Sequence, residues 1–243
     1  MAAADSNNTY VEHDPRLGVT YTWHNATVEH RQTTHRGTLV EMVRRPGWGV
    51  ACYMDGVIQS CERDEAIYHR ALVERVLAAE PRSVCIVGGG EGATAREVLA
   101  DPFVGRCDMI EWDADVVSLF RDKYPKWPAG AFSDSRLSVE CRDVFEACKE
   151  ERSYDAVIVD LFEPEEMGGA DSLSDRLEWI ACILRLVGWA RRSVAIYAGM
   201  VNGPEVRIIE LALEAAGFKT VVSYKVYIPS FMGEAQFVYA SRA

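Results

Sequence analysis

The chain has 243 residues, of which 49% are apolar and 26% charged, which suits one α/β domain with a sizeable core and a small additional domain. Its net charge of −11 argues against nucleic acid as a partner, because such binding depends on Lys and Arg, and it favours a cationic ligand. Its apolar runs are too short to cross a membrane, and seven cysteines without a C-x-x-C pair indicate buried thiols rather than disulfides or a zinc site.

The N-terminal quarter is predicted to contain a tail and a β domain. Residues 1–16 are expected to be disordered, and they lack the basic and apolar regions of a secretory signal, which predicts a cytoplasmic protein. Residues 17–62 are rich in β-branched and aromatic residues and predict a meander of short strands. From Asp64 the apolar spacing becomes helical. The predicted inward face of this helix consists of Ile67, Ala71, Leu72, Val76 and Leu77.

Strands and helices alternate over the remainder, residues 63–243. Single helices between strands imply parallel βαβ units, and two final strands joined by a short turn imply an antiparallel edge. We therefore predict an α/β fold with a Rossmann-like, doubly wound sheet. In such sheets the ligand binds beyond the carboxyl ends of the strands, at the switch point of the strand order.

The first strand of this sheet ends in a glycine turn, GGGEG, in which Gly88 and Gly90 would let the backbone approach a ligand. Glu91 would repel a phosphate, and no Lys-Ser or Lys-Thr follows, so a triphosphate does not fit. Glu111 ends the second strand about twenty residues on, the spacing of an acid that binds ribose hydroxyls. An adenosyl sulfonium satisfies both features, with its ribose at Glu111, its adenine near Asp143 and its amine at Glu91.

A second pair of carboxylates, Asp160 and Glu163, follows the fourth strand, and Pro164 ends the regular structure there. A loop with exposed acids is the plain alternative. An attacking amine has a pKa of about 10 and must lose a proton before it displaces a sulfonium leaving group. We expect Asp160 to accept that proton and the pair to hold a polyamine. Because the sulfonium is already activated, no metal ion is predicted.

Together these motifs resemble the spermidine/spermine synthase family of aminopropyltransferases, from about residue 30 to the C-terminus. The resemblance is carried by MDGVIQSCERDEAIYHRALV, GGGEGATAREVL, DLFEP and IPSF. The glycine motif with Glu is most similar to that of the thermospermine and spermine synthase branch. The resemblance implies the fold of S-adenosylmethionine-dependent transferases, decarboxylated S-adenosylmethionine as co-substrate without a tightly bound cofactor, a diamine or polyamine acceptor, 5′-methylthioadenosine as by-product, and a homodimer.

The resemblance also implies roles for individual residues. Tyr68 would assist Asp160, and the backbone of Val144 would hold adenine together with Asp143. The remaining residues that would line the donor and amine sites are Gln59, His69, Glu163 and Phe231. For Tyr68 and His69 the alternative is a partly buried helix face.

Four positions depart from the family pattern. Glu163 replaces the usual second Asp, and Phe231 stands where spermidine synthases often have an amine-binding Tyr. Arg36 and Tyr197 both stand where Gln is common. These departures leave the acceptor open. The alternatives on the same scaffold are an S-adenosylmethionine-dependent amine N-methyltransferase, an S-adenosylmethionine lyase, and a non-catalytic protein that binds a nucleoside or polyamine.

Overall fold

The computed structural model describes residues 8–14, 18–161, 173–200 and 205–242. The chain divides into two compact units. The N-terminal unit comprises residues 1–66 together with 229–231, and the C-terminal unit comprises residues 67–228 and 232–243. Residues 229–231, which the sequence analysis assigned to the catalytic domain, therefore group with the N-terminal unit.

The N-terminal unit is built from two antiparallel sheets. One is a two-stranded sheet of β1 and β2, and the other is a four-stranded sheet in which β3 to β6 pair in chain order. Consecutive pairing is the predicted meander. The strands are β1 (Thr9–Asp14), β2 (Val19–His24), β3 (Thr27–Thr33), β4 (Leu39–Arg45), β5 (Gly49–Met54) and β6 (Val57–Cys61).

The prediction of a disordered tail over residues 1–16 is wrong for residues 9–14, which form β1. Tyr10 and Glu12 are both buried, and their side chains lie on one face of the strand because side chains alternate along it. The Tyr10 hydroxyl donates to Glu41 at 3.0 Å, and Glu12 accepts from the Tyr53 hydroxyl at 3.1 Å. The stretch is polar in composition, but its polar groups have partners that lie far along the chain.

The C-terminal unit contains a seven-stranded sheet, which confirms the predicted α/β fold. Its strands lie in the order β12-β13-β11-β10-β7-β8-β9, with β13 antiparallel to both of its neighbours and the other six strands running in one direction. The strands are β7 (Ser83–Gly88), β8 (Arg106–Glu111), β9 (Leu137–Cys141), β10 (Tyr154–Asp160), β11 (Ala190–Met200), β12 (Thr220–Ile228) and β13 (Gly233–Ser241).

The described residues contain six α-helices besides these strands, and no helix among them is long and apolar enough to cross a membrane. The helices are α1 (Glu65–Leu77), α2 (Ala93–Leu99), α3 (Ala114–Asp122), α4 (Val144–Ala147), α5 (Leu173–Gly188) and α6 (Glu205–Ala215). The central strands β7 and β10 are buried along nearly their whole length, as expected for parallel strands that are covered on both faces.

The buried face of α1 differs from the prediction. Ile67 is 43% exposed, whereas Tyr68 and His69 are buried. Apolar periodicity missed these two residues because it counts neither Tyr nor His, although the rings of both are buried readily when their polar atoms find partners. The complete buried face consists of Tyr68, His69, Leu72, Val73 and Val76.

Candidate active site

Three strand ends come together where the strand order reverses. The first strand of the sheet, β7, pairs with β8 on one side and with β10 on the other. In this register Gly88 lies beside Asp160, and Val87 lies beside Ile110, one residue before Glu111. The glycine turn and the two predicted acids therefore meet at the switch point, where ligands of doubly wound sheets bind.

The glycine turn is closely packed against the neighbouring strand ends. Gly88 has a φ of +87°, and a Cβ at this position would lie 2.0 Å from the backbone oxygen of Asp160. At Gly90 a Cβ would lie 2.8 Å from Oε2 of Glu111. Sequence reasoning explained these glycines by close approach to a ligand. The structure adds a requirement within the protein, because side chains here would collide with the strand ends that carry the acids.

Glu111 is held by backbone groups at the end of β8. The N–H of Asp113 donates to its Oε1 at 3.0 Å. Burial raises the pKa of Glu111 to about 7, although hydrogen bonds from the backbone of Asp113, Gly90 and Trp112 oppose this rise. The carboxylate is therefore poised to change charge near neutral pH, and two ribose hydroxyls would add donors that favour its ionised form.

Asp143 lies beyond the end of β9, where it caps the short helix α4 that begins at Val144. The N–H of Phe145 donates to Oδ1 of Asp143 at 2.8 Å. This bond fixes the loop in which adenine is predicted to bind. The adenine contacts of Asp143 and Val144 remain predictions.

Asp160 accepts hydrogen bonds from two hydroxyl groups. Tyr68 donates to Oδ1 at 2.7 Å, and Thr94 donates to Oδ2 at 2.6 Å. Burial, followed by the charge of Asp160, raises the pKa of Tyr68 well above its usual value. Tyr68 therefore keeps its proton and acts as a donor to the carboxylate. Glu163 and Pro164, the other members of the predicted motif, lie outside the described residues.

The site is strongly acidic. Glu91 is buried, with 8% of its surface exposed, and its charge contributes to the raised pKa of Tyr68. Glu91 therefore lies close enough to interact with the phenol that donates to Asp160. Two carboxylates near one buried phenol favour a cationic ligand.

An aromatic cluster surrounds the Tyr68 ring. The ring centroids of His69, Tyr197 and Phe237 lie 5.1, 5.3 and 5.2 Å from that of Tyr68, each in an edge-on arrangement. The predicted site residue His69 and the unusual Tyr197 are thus both brought to this part of the C-terminal unit. Aromatic rings beside carboxylates suit a ligand that carries positive charges separated by methylene groups.

The other predicted residues belong to the N-terminal unit. Gln59 lies on β6, where its side-chain amide donates to the backbone oxygen of Val57 at 3.3 Å. Phe231 packs against the buried core of this unit. The N–H of Ser230, the residue before Phe231, donates to the carboxylate of Asp64 at 2.7 Å. Arg36 is exposed between β3 and β4. Roles in substrate binding for Gln59 and Phe231 remain predictions.

Thr94 is a candidate site residue that sequence reasoning missed, and it donates a hydrogen bond to Asp160. It is fully buried in the first turn of α2, directly after the glycine turn. The only sequence signal was a hydroxyl residue in a helix whose neighbours are small and apolar. In the described part of the chain, no group of three His, Cys, Asp or Glu side chains is arranged to hold a metal ion.

Comparison with known proteins gives concordant matches. A family model described as the spermine/spermidine synthase domain matches residues 63–183. A polyamine aminopropyltransferase of Aeropyrum pernix is 38% identical over 206 residues, which are 83% of this chain and 65% of that protein. Polyamine aminopropyltransferase 1 of Hyperthermus butylicus is 34% identical over 220 residues, 87% of this chain and 74% of that protein. This chain thus spans about two thirds to three quarters of the length of these relatives.

Solved structures share the fold. A spermidine synthase in complex with the transition state analogue AdoDATO has a TM-score of 0.79 at 22% identity, over 97% of this chain and 80% of that one. The spermidine synthase from Thermotoga maritima has a TM-score of 0.76 at 22% identity, over 97% of this chain and 79% of that one. Because the Hyperthermus butylicus relative is 34% identical and is matched over 74% of its length, the chain belongs to the spermine/spermidine synthase family.

Proposed function

We propose that the protein is a polyamine aminopropyltransferase. It moves an aminopropyl group from decarboxylated S-adenosylmethionine to a diamine or polyamine and releases 5′-methylthioadenosine. The observation that carries this proposal is the Asp160 carboxylate, held by two hydroxyl donors at the switch point beside an acidic glycine turn. A base at this position is needed for an amine nucleophile, and the acidic surroundings suit cationic substrates.

The decarboxylated S-adenosylmethionine would bind at the carboxyl ends of β7, β8 and β9. Glu111 would accept hydrogen bonds from both ribose hydroxyls, and Asp143 with the backbone of Val144 would hold adenine. Glu91 would bind the amine of the aminopropyl group. Gly88 and Gly90 would keep the turn close to Asp160 and Glu111, so that these contacts can be made together.

The transfer itself is a displacement at carbon. The lone pair of the acceptor nitrogen forms a C–N bond with the aminopropyl carbon next to sulfur. The C–S bond breaks, and its electron pair stays on sulfur, which becomes a neutral thioether. Asp160 takes the proton that the nitrogen loses, while Tyr68 holds the carboxylate. Glu163 and His69 would bind the remaining part of the acceptor. The sulfonium needs no further activation, so positioning and electrostatics carry the catalysis.

A cytoplasmic location and a homodimer are parts of the proposal that rest on the sequence. A diamine or a polyamine is the acceptor class that acidic and aromatic side chains around Tyr68 favour. The family resemblance implies the homodimer, which sedimentation equilibrium of the purified protein would test.

Product analysis tests the proposed reaction. The purified protein is incubated with S-adenosylmethionine or its decarboxylated form, each with a panel of diamines and polyamines, and the products are identified by mass spectrometry. We expect 5′-methylthioadenosine and an elongated amine with the decarboxylated donor only. Methylated amine together with S-adenosylhomocysteine would instead identify an N-methyltransferase, and amine-independent cleavage of S-adenosylmethionine would identify a lyase.

A further inference from the structure

Of the two side-chain hydrogen bonds described at the candidate base, Thr94 makes the shorter. Its Oγ1 lies 2.6 Å from Oδ2 of Asp160, and the Tyr68 hydroxyl lies 2.7 Å from Oδ1 of the same carboxylate. The two donors come from different helices, since Tyr68 lies on α1 and Thr94 on α2. Each carboxylate oxygen therefore has its own donor, and rotation of the carboxylate would break both hydrogen bonds.

The glycine turn makes room for this arrangement. A Cβ at Gly89 would lie 3.5 Å from Oδ2 of Asp160 and 3.6 Å from Cβ of Thr94, in addition to a closer contact with Ile86. The space beside the turn is thus already filled by the hydrogen-bonded pair. Thr94 is fully buried, so water does not compete for its hydroxyl.

We propose that Thr94 is a positioning residue for Asp160. Its hydroxyl and that of Tyr68 hold the carboxylate in the one orientation from which it takes the proton of the attacking amine. This inference rests on the proposed function for the identity of the reaction. The contact itself belongs to the described structure. Because Thr94 acts through Asp160, it should affect turnover and leave the binding of the nucleoside unchanged.

Paired substitutions test this role. Thr94→Val keeps the shape of the side chain and removes the donor, so we expect kcat to fall about 10- to 100-fold, the size of effect that misplacement of a reacting group produces. The KM for the donor should stay within about twofold, since the ribose and adenine contacts lie on other strands. Thr94→Ser, which keeps a hydroxyl, should recover most of the lost turnover. The matched control is Thr34→Val. Thr34 lies in the N-terminal unit, and its buried hydroxyl has no hydrogen-bond partner among the described residues, so its removal should leave kcat unchanged.

The Asp160→Asn background separates positioning from a general effect on structure. If Thr94 acts through the base, Thr94→Val should lower the residual turnover of Asp160→Asn by less than twofold. The proposal would be overturned if Thr94→Val lowered the turnover of Asp160→Asn by the same factor as it lowers that of the wild type. It would also be overturned if Thr94→Val had the kcat of the wild type, or if folded Thr94→Val and Thr94→Ser lost equal turnover. Should Thr94→Val fail to give a cooperative melting transition, Thr94→Ala serves as the donor-free variant.

Crystal structures of Thr94→Val and Thr94→Ser provide a readout that does not depend on the reaction. We expect the Asp160 carboxylate to be rotated or to have two conformers in Thr94→Val and to keep one conformer in Thr94→Ser. An unchanged carboxylate in Thr94→Val would overturn the positioning role. Aminopropyl transfer is decided separately, by the identity of the wild-type products, so failure of one inference can be told from failure of the other.

Discussion

Gly90 lies so close to Glu111 that a Cβ on Gly90 would be 2.8 Å from Oε2 and 2.9 Å from Cδ of the carboxyl group. The glycine of the turn and the acid of the next strand therefore form one unit. Gly90→Ala is expected to displace the Glu111 side chain and to weaken binding of 5′-methylthioadenosine tenfold or more, since a hydrogen bond to a charged group contributes about 1.5–3 kcal/mol.

Isothermal titration calorimetry measures this loss. Gly188→Ala is the matched control, because a Cβ there meets no atom within 4 Å. It should bind the nucleoside like the wild type. Unchanged affinity in Gly90→Ala would show that the turn and Glu111 do not act together in nucleoside binding.

Nucleoside affinity should depend on pH through Glu111. Its pKa of about 7 in the unliganded protein means that half of the molecules carry a neutral Glu111 near neutral pH. If the ionised carboxylate binds the ribose, affinity for 5′-methylthioadenosine should be about tenfold weaker at pH 6 than at pH 8 and constant above that. Glu111→Gln should bind weakly with little pH dependence. Affinity that is flat or falls with rising pH in the wild type contradicts this role.

The same pKa shift affects stability. The folded protein binds more protons at Glu111 than the unfolded chain between pH 4.5 and about 7, so this group's contribution to stability falls as pH rises through that interval. Replacement by neutral Gln removes the cost of a buried charge. Glu111→Gln should therefore raise the melting temperature more at pH 8 than at pH 5, which differential scanning calorimetry can measure. An equal effect at both pH values would argue against a raised pKa.

Glu91 should select against a donor that carries a carboxylate. Two like charges 4 Å apart repel by about 4 kcal/mol at an effective dielectric constant near 20. The decarboxylated donor should therefore bind at least tenfold more tightly than S-adenosylmethionine, and Glu91→Gln should narrow this difference. Glu97→Gln is the control, because Glu97 lies on α2 and is paired with Arg96 at 2.8 Å. A wild-type preference for S-adenosylmethionine would favour a methyltransferase or a lyase.

Asp160 and Tyr68 should differ in how much turnover they support. Asp160→Asn removes the proton acceptor and should lower kcat by about 10²- to 10⁴-fold, with donor binding retained. Tyr68→Phe removes only one of the hydrogen-bond donors to that carboxylate, so it should lower kcat less than Asp160→Asn does. The pKa of Tyr68 is raised well above its usual value, so Tyr68 keeps its proton below pH 9. The pH–rate profile of Tyr68→Phe should therefore have the same shape as that of the wild type below pH 9. Single-turnover rates at saturating amine test both variants, and an Asp160→Asn enzyme as fast as wild type would exclude the base role.

Strand β1 should contribute to the stability of the protein through its buried Tyr10. Tyr10→Phe removes a hydroxyl that donates to the carboxylate of Glu41 and should lower the free energy of unfolding by about 1–3 kcal/mol. Val11→Ala on the same strand changes a side chain that is 59% exposed and should have little effect. Denaturant unfolding compares the two. Equal stability of both variants and the wild type would mean that the Tyr10–Glu41 hydrogen bond adds nothing to the stability of the N-terminal unit.

The sequence by itself determined at which edge of the sheet the candidate site residues lie. Apolar runs such as those before Gly88 and Asp160 need burial on both faces, which a parallel sheet covered by helices offers. Parallel strands place their carboxyl ends on one edge, so Gly88, Glu111 and Asp160 had to share that edge. These conclusions need only local pattern and chain order, and the structure confirms the fold from which they follow.

Only the tertiary structure decided which polar groups meet. Tyr68 and Asp160 are 92 residues apart, and Thr94 and Asp160 are 66 residues apart, so no local pattern links them. The same holds for β1, whose Tyr10 has its partner at Glu41. Periodicity reports which side chains avoid water, but a buried hydroxyl or carboxylate is stabilised by a specific donor or acceptor that folding brings from elsewhere in the chain.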